Sequence, residues 1–265
     1  MLRKIIYILI FSLFTQIGTA NAGSTGNEQL SGSGSTAGAE ECFEGVSRAM
    51  FKLNHGLDKV IFEPVAKGYR ALPAPIRKGT GNATDNLRSL LTFSNNILQG
   101  EFGRAGNNAA RFAINSTVGI LGFFDPATKL GFEDQGKEDF GQTLGKWGAD
   151  SGCYFVLPVL GPTTTRDVIG LVGNTFLDPV YHITHNSEVN AGIGNSNYSE
   201  HNYYYYRGTG AVDFRAKNIE SFDSLEENSI DLYASLKSLY LQNRKQKIAN
   251  STSAVETQDD SDWEE

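Results

Sequence analysis

The sequence predicts a mainly α fold, a single domain assembled from many short amphipathic helices. Three observations carry that expectation. Apolar residues recur three and four apart in one segment after another, the spacing of a helix face. Glycine and proline punctuate those segments. The strand signal is confined to Cys153–Val159. Beyond the first residues no run of about 18 apolar residues occurs, so no helix is expected to cross a bilayer alone.

The elements follow in order. Glu44–Asp58 reads as an amphipathic helix with Val46, Met50, Leu53 and Leu57 on one face. Pro64 starts a short helix that ends near Leu72, because Pro73 and Pro75 cannot continue one. Thr84 or Asp85 is expected to cap the next helix, whose stripe is Leu87, Leu90, Leu91, Ile97 and Leu98. Ala105–Thr117 forms a further helix carrying Ala109, Phe112 and Ala113 and running into the glycine-punctuated corner VGILGFF. Asp125 and Pro126 open a short turn, and residues 131–137 form a charged loop.

The stretch from Asp139 to Pro179 is the organising centre, dense in apolar and aromatic residues. Phe140, Leu144 and Trp147 share a face of a short helix that Gly148 and Gly152 stop. Tyr154–Leu160 is a bare apolar run. Gly161 and Pro162 are expected to open a second helix, with a following threonine as its cap, reaching Phe176. An ordinary buried core is the default for these apolar faces; a membrane-embedded protein would instead turn them to lipid and its polar stripes inward. Residues 186–202 read as a surface loop rich in Asn, Ser and Gly, and Tyr203–Tyr206 suits a boundary between apolar and wet surroundings. Two helices close the domain, near Ala211–Phe222 and Asn228–Lys247.

The ends read differently. A basic start, an apolar Ile5–Phe14 and a closing Ala20-Asn21-Ala22 form a cleavable signal peptide, residues 1–22. Residues 23–40 form a flexible leader, 41–248 the helical domain, and 249–265 a disordered acidic tail. No cysteine stands after Ala22, so the exported chain is not expected to be a lipoprotein. The two cysteines, Cys42 and Cys153, allow one disulfide or two buried thiols.

Catalytic signatures are absent: no nucleophile elbow, no P-loop, no HExxH. His182 and His185 lie three apart without a third ligand, so no metal and no cofactor are expected. The formal net charge of −7 argues against nucleic acid.

The chain resembles the MlaA/VacJ family of outer-membrane phospholipid-removal proteins. The resemblance rests on EGVSRAMFKLN at Glu44–Asn54, PVAKGYR at Pro64–Arg70, NLR at Asn86–Arg88 and LQG at Leu98–Gly100. It continues with RFAINSTVGILGFFD at Arg111–Asp125, EDFGQTLGKWG at Glu138–Gly148, LPVLGPTTTRD at Leu157–Asp167, and a weaker match across Asp231–Arg244. It implies a ring of short helices in the outer membrane, facing the periplasm, with a central polar passage for phospholipid. A trimeric porin and a soluble periplasmic lipid carrier are the implied partners, and no enzyme activity is implied. Arg48, Asn54, Arg70, Asp139 and Arg166 are the polar candidates for the passage. Gly119, Gly122, Phe123, Phe124, Gly148, Gly152 and Gly161 are the candidates for apolar corners and hinges. A periplasmic hydrolase of lipid or cell wall, and a structural porin partner that moves no lipid, are the rival readings.

Overall fold

Helices dominate the computed structural model, which describes residues 39–185 and 200–250. Helix α1, Glu44–Leu57, passes through a π-helical turn at Asp58–Phe62 directly into α2, Glu63–Arg70. Pro64 follows that turn as the second residue of α2, so the break in the α-helical hydrogen-bond pattern coincides with the residue that has no N–H to donate. Helix α3, Ala74–Leu98, starts immediately past Pro73 and is about 37 Å long at 1.5 Å per residue. A short turn through Gly100, at φ +76°, returns the chain as α4, Phe102–Thr117. Helix α3 is the element on which the others gather: it touches α4, the later helices α6 to α8, and α9.

Side-chain caps set several starts. Asp125 accepts from Thr128 N (3.2 Å) at α5, Pro126–Lys129. Asp139 accepts from Gln142 N (3.0 Å) at α6, Phe140–Lys146. Strands β1, Tyr154–Leu157, and β2, Gly161–Thr164, form an antiparallel hairpin in the register Tyr154 to Thr164 and Leu157 to Gly161. Thr164 then caps α7, Thr165–Leu177. The remaining helices are α8, Pro179–His185; α9, Glu200–Lys217; α10, Ile219–Asn228; and α11, Leu232–Ala249, capped by Asp231.

Several boundaries differ from the sequence expectation. Neither Thr84 nor Asp85 caps a helix; α3 runs straight through, and Thr84 Oγ1 donates back to Thr80 O and Gly81 O. Pro162 lies in β2 rather than in a helix, because the bare run at Tyr154 takes Gly161–Thr164 as its partner. The expected helix Ala211–Phe222 is split at Asn218, and its first half begins at Glu200. Of the loop expected over residues 186–202, the first fourteen lie outside the described residues and the last three are helical.

Helices α6 and α7 meet at glycines. A Cβ on Gly170 would stand 2.4 Å from Gly141 N, and one on Gly173 would stand 2.2 Å from the Phe140 ring. No other residue allows the two backbones to approach so closely. The Cys42–Cys153 disulfide ties the segment before α1 to the start of β1, with Cα atoms 5.5 Å apart. Beside it Tyr154, Val156 and Tyr233 form one small core; Ala66, Ala216 and Ile219 form another.

The helical periods are those expected, but the faces are largely reversed, with Leu91 of the α3 stripe buried as expected. On α1, Ser47 is 1% exposed while Val46 is 62% exposed. On α3 the inward residues include Asn86, Ser89, Thr92, Asn95 and Asn96, while Ile97 and Leu98 face out. On α4 the inward face is Ala105, Asn108, Arg111 and Asn115, and the expected stripe residues Ala109 and Ala113 are exposed. The default of an apolar core holds for the two small clusters and a few residues such as Leu91; most other inward side chains are polar, and many large apolar groups lie outside. Each exposed Leu, Ile, Val or Phe forgoes roughly 1.5–3 kcal/mol of burial in water. A handful of them equals the net stability of a domain, about 5–15 kcal/mol. This surface fits an apolar solvent.

Gly170→Val should lower unfolding stability by about 3 kcal/mol or more, the upper range of overpacking; chemical unfolding in detergent measures it, and a change below about 0.5 kcal/mol would show that α6 and α7 do not pack this way. Replacing both Cys42 and Cys153 by Ser should cost about 2–4 kcal/mol, read in the same assay against the oxidised wild type.

Candidate functional site

The inward polar groups form two connected regions. The first is a cavity of about 100 Å³ between α3, α4 and the 131–137 loop. Its wall carries Asp85, Asn86, Ser89, Asn108, Arg111 and Lys137, with Asp125 and Asp134 beside them. Arg111, buried on α4, donates to Asp125 Oδ2 (2.9 Å) and Thr128 Oγ1 (2.9 Å) and to the carbonyl of Phe132. Asn115 Nδ2 donates to Asp125 Oδ1 (2.9 Å) and Asn86 Nδ2 to Ser116 Oγ (2.9 Å). Burial opposes ionisation of Asp125, but donation from Thr128, Asn115 and Arg111 outweighs it and holds the carboxyl below its usual range. Lys137 lies 2.8 Å from Asp134 and 3.8 Å from Asp85 at the rim.

The second region lies where α6, α7 and α11 converge. Arg244 Nη1 and Nη2 donate to Asp139 (2.6 and 3.0 Å), and Nη2 and Nε donate to Asp167 (2.6 and 3.1 Å). Tyr240 OH donates to Asp167 (2.5 Å), and Arg166 Nε stands 3.2 Å from the same carboxylate. Burial raises both carboxyls, and Arg244 more than reverses it, holding Asp139 and Asp167 well below the ordinary range. Nearby, burial pushes the Glu138 carboxyl up despite donation from Gln99 Nε2 (3.0 Å).

These placements separate the sequence candidates. Asp139 and Arg166 come together around Arg244. Arg48 is on the outside, bridging Glu44 and Asp231 and lying over the Tyr233 ring. Asn54 clamps the hairpin turn through Leu157 O and Val159 N, both at 2.7 Å. Arg70 pairs with Glu220. Among the corner residues, Ile120 and Leu121 take left-handed backbone at φ 53° and 56° and are 65% and 78% exposed. A β-branched residue there costs roughly 1–3 kcal/mol, so this corner presents apolar side chains outward against a local strain. Gly119 packs against Phe124 O, Phe123 covers Gly79, and the Phe123 and Phe124 rings meet edge to face. A Cβ on Gly122 would stand 2.6 Å from the Asn86 side chain, whereas Gly148 and Gly161 face open space and Gly152 sits near Thr165. Arg111, Asp125, Asp167 and Arg244 were missed as site residues, although each stands at the end of a quoted motif. Among the described residues no cluster of metal-ligating side chains occurs.

The family described as MlaA lipoprotein matches residues 39–247. The chain belongs to the MlaA family. Relatives named intermembrane phospholipid transport system lipoprotein MlaA are 32% identical in Haemophilus influenzae (78% of this chain, 79% of the relative) and 31% identical in Escherichia coli (80% of each). A Rickettsia bellii protein, uncharacterized, is 30% identical over 92% of this chain and 91% of its own. A solved structure reported as the structural basis for maintenance of bacterial outer membrane lipid asymmetry aligns with TM-score 0.66 at 28% identity, over 79% of this chain and 99% of that one. The MlaA family and these two named relatives are lipoproteins by description, which corrects the expectation that this chain stands outside that class. That expectation rested on cleavage after Ala22, a position outside the described residues. Cys42, for its part, is held in the disulfide.

Carboxyls depressed in the folded state add stability above their unfolded values, near pH 4, and lose it as pH falls toward the folded values. Asp139→Asn should therefore cost about 3–5 kcal/mol at pH 7, the range for breaking a buried pair, and flatten the acid limb between pH 5 and about pH 2. Unfolding midpoints in detergent across that range measure both; an unchanged acid limb would remove Asp139 from the network.

Proposed function

We propose that this chain moves phospholipid in the intermembrane transport that maintains outer-membrane lipid asymmetry, by removing mislocalised lipid from the outer leaflet. The observation that carries the proposal is the reversed polarity, with apolar side chains outside and polar side chains inside. A protein surrounded by acyl chains needs the first, and a route for headgroups needs the second. Exposing a lipid tail to water costs about 0.8 kcal/mol per CH₂; an interior that wets the headgroup while tails stay against apolar walls lowers that barrier without breaking a bond. The chain acts as a transport component and not as an enzyme. The polar cavity on α3 and α4 is the proposed headgroup station. Asp139 and Arg166 support the passage from the Arg244 network. A trimeric porin is proposed to seat against the apolar exterior, and a soluble periplasmic carrier to accept the lipid.

Deleting the gene should raise outer-leaflet phospholipid, and the wild-type chain should restore it. A chain carrying Asp85→Ala and Lys137→Ala should accumulate normally yet restore less than half. Full restoration by that variant removes the cavity from the route. Unchanged leaflets in the deletion, with lipid ester turned over by the purified protein, would replace transport with hydrolysis.

A further inference from the structure

Two cations on inward helix faces, Arg88 and Lys247, have no hydrogen bond and no ion pair among the described residues. Arg88 shares a stripe of α3 with Gly81, Thr92 and Asn95, all buried, yet its own side chain is exposed. A residue in the middle of a packed face reaches solvent only where that face opens. Lys247 repeats the pattern on α11. It comes one turn after Arg244 and two turns after Tyr240, on the face that meets Asp139 and Asp167, and it too is exposed. The acids around it are taken. Asp139 is held by Arg244 (2.6 Å), and Glu138 by Gln99 (3.0 Å) with Arg104 at 3.5 Å.

The two cations belong to one recess. Burial pushes the Lys247 ammonium down, and the charges of Arg244 and Arg88 push it further. A side chain that meets solvent and is still desolvated by its surroundings stands in a concave site. The charge of Arg88 also reaches Tyr206 on α9, whose phenol is raised by burial and by Asp178 against the pull of Arg207 and Arg88. The Tyr206 hydroxyl forms no hydrogen bond among the described residues. Helices α3, α9 and α11 thus bring two unmatched positive charges and a phenol donor to one opening. The two charges repel each other until an anion comes between them. A phosphodiester suits that place: its negative charge is spread over two oxygens, which an arginine fork meets in pairs while an ammonium or a hydroxyl donates to the remaining lone pairs. One turn earlier on α3, Asp85 lines the headgroup cavity, so a phosphate at Arg88 leaves the rest of its headgroup beside that cavity. We propose that Arg88 and Lys247 clasp the phosphate of a glycerophospholipid in this recess, with the Tyr206 hydroxyl as a third donor. The proposal deepens the transport reading and rests on it for the choice of lipid. Binding is measured without movement, whereas transport is read from the leaflets of the deletion, so either can fail alone.

The test titrates the full chain in nonionic detergent with three probes: dihexanoylphosphatidylglycerol, dihexanoylglycerol, which has the same tails and no phosphate, and inorganic phosphate. The phospholipid should bind about tenfold tighter than either of the others. Arg88→Gln and Lys247→Gln should each weaken it about tenfold, the worth of one charge-assisted hydrogen bond. Lys52→Gln and Lys245→Gln, at exposed lysines, should change it less than about twofold, because solvent and salt screen them. Neither Arg88→Gln nor Lys247→Gln should lower the unfolding midpoint, since each relieves a repulsion. Equal affinity for dihexanoylglycerol, equal loss from the Lys52 and Lys245 variants, or a fall in midpoint that gives the pair a structural duty would overturn the proposal. Inorganic phosphate binding as tightly as the phospholipid would assign the recess to free phosphate and overturn it as well.

Discussion

One guanidinium holds the centre of this molecule together. The glycines at 141 and 170 let α6 and α7 touch backbone to backbone, and that approach carries Asp139 and Asp167 to the same place. Two carboxylates so close repel each other when both are ionised. Arg244, arriving on the last helix, meets both with four hydrogen bonds. The planar fork of arginine suits this bidentate task in a way a lysine ammonium does not. The close packing and the charge cluster therefore require each other, and α11 is fixed by the result.

Around that centre the usual logic of a soluble domain is turned over. Polar side chains facing inward from α3 and α4 find partners on other segments, Asn95 with Thr143 of α6 and Arg111 with Asp125, and Gln99 just past α3 meets Glu138. Apolar side chains on the same helices face outward. No helix among the described residues is long and apolar enough to cross a bilayer, so the apolar exterior is assembled from short pieces. The exposed corner at Ile120 and Leu121 adds to it at the expense of local backbone strain.

Much of the fold was legible. Helical spacing located α1, α4, α6 and α7, and the single strand signal at Tyr154 was real. Periodicity tells which residues share a face, but it does not say which solvent that face meets, so the stripes at Val46 and Ala109 were read toward the wrong side. The cap at Thr84 failed because its hydroxyl satisfies itself against its own helix, while Asp85 lies within α3 and faces Lys137. The Arg244 cluster joins residues up to 105 positions apart, and nothing local marks such a meeting. Its members did lie within the quoted motifs, Asp167 and Arg244 at their ends, which placed them in the family pattern without saying what they touch.

The disulfide has a consequence for the order in which the domain comes into being. Its cysteines are 111 residues apart, and a growing chain delivers the first long before the second. Until β1 is made, Cys42 is a lone thiol, and α1 lacks the hairpin that Asn54 later clamps. Helix α1 is thus made early and secured late. Any oxidant acting too early would meet a single cysteine, so correct closure favours a compartment where thiol exchange continues after the chain is complete.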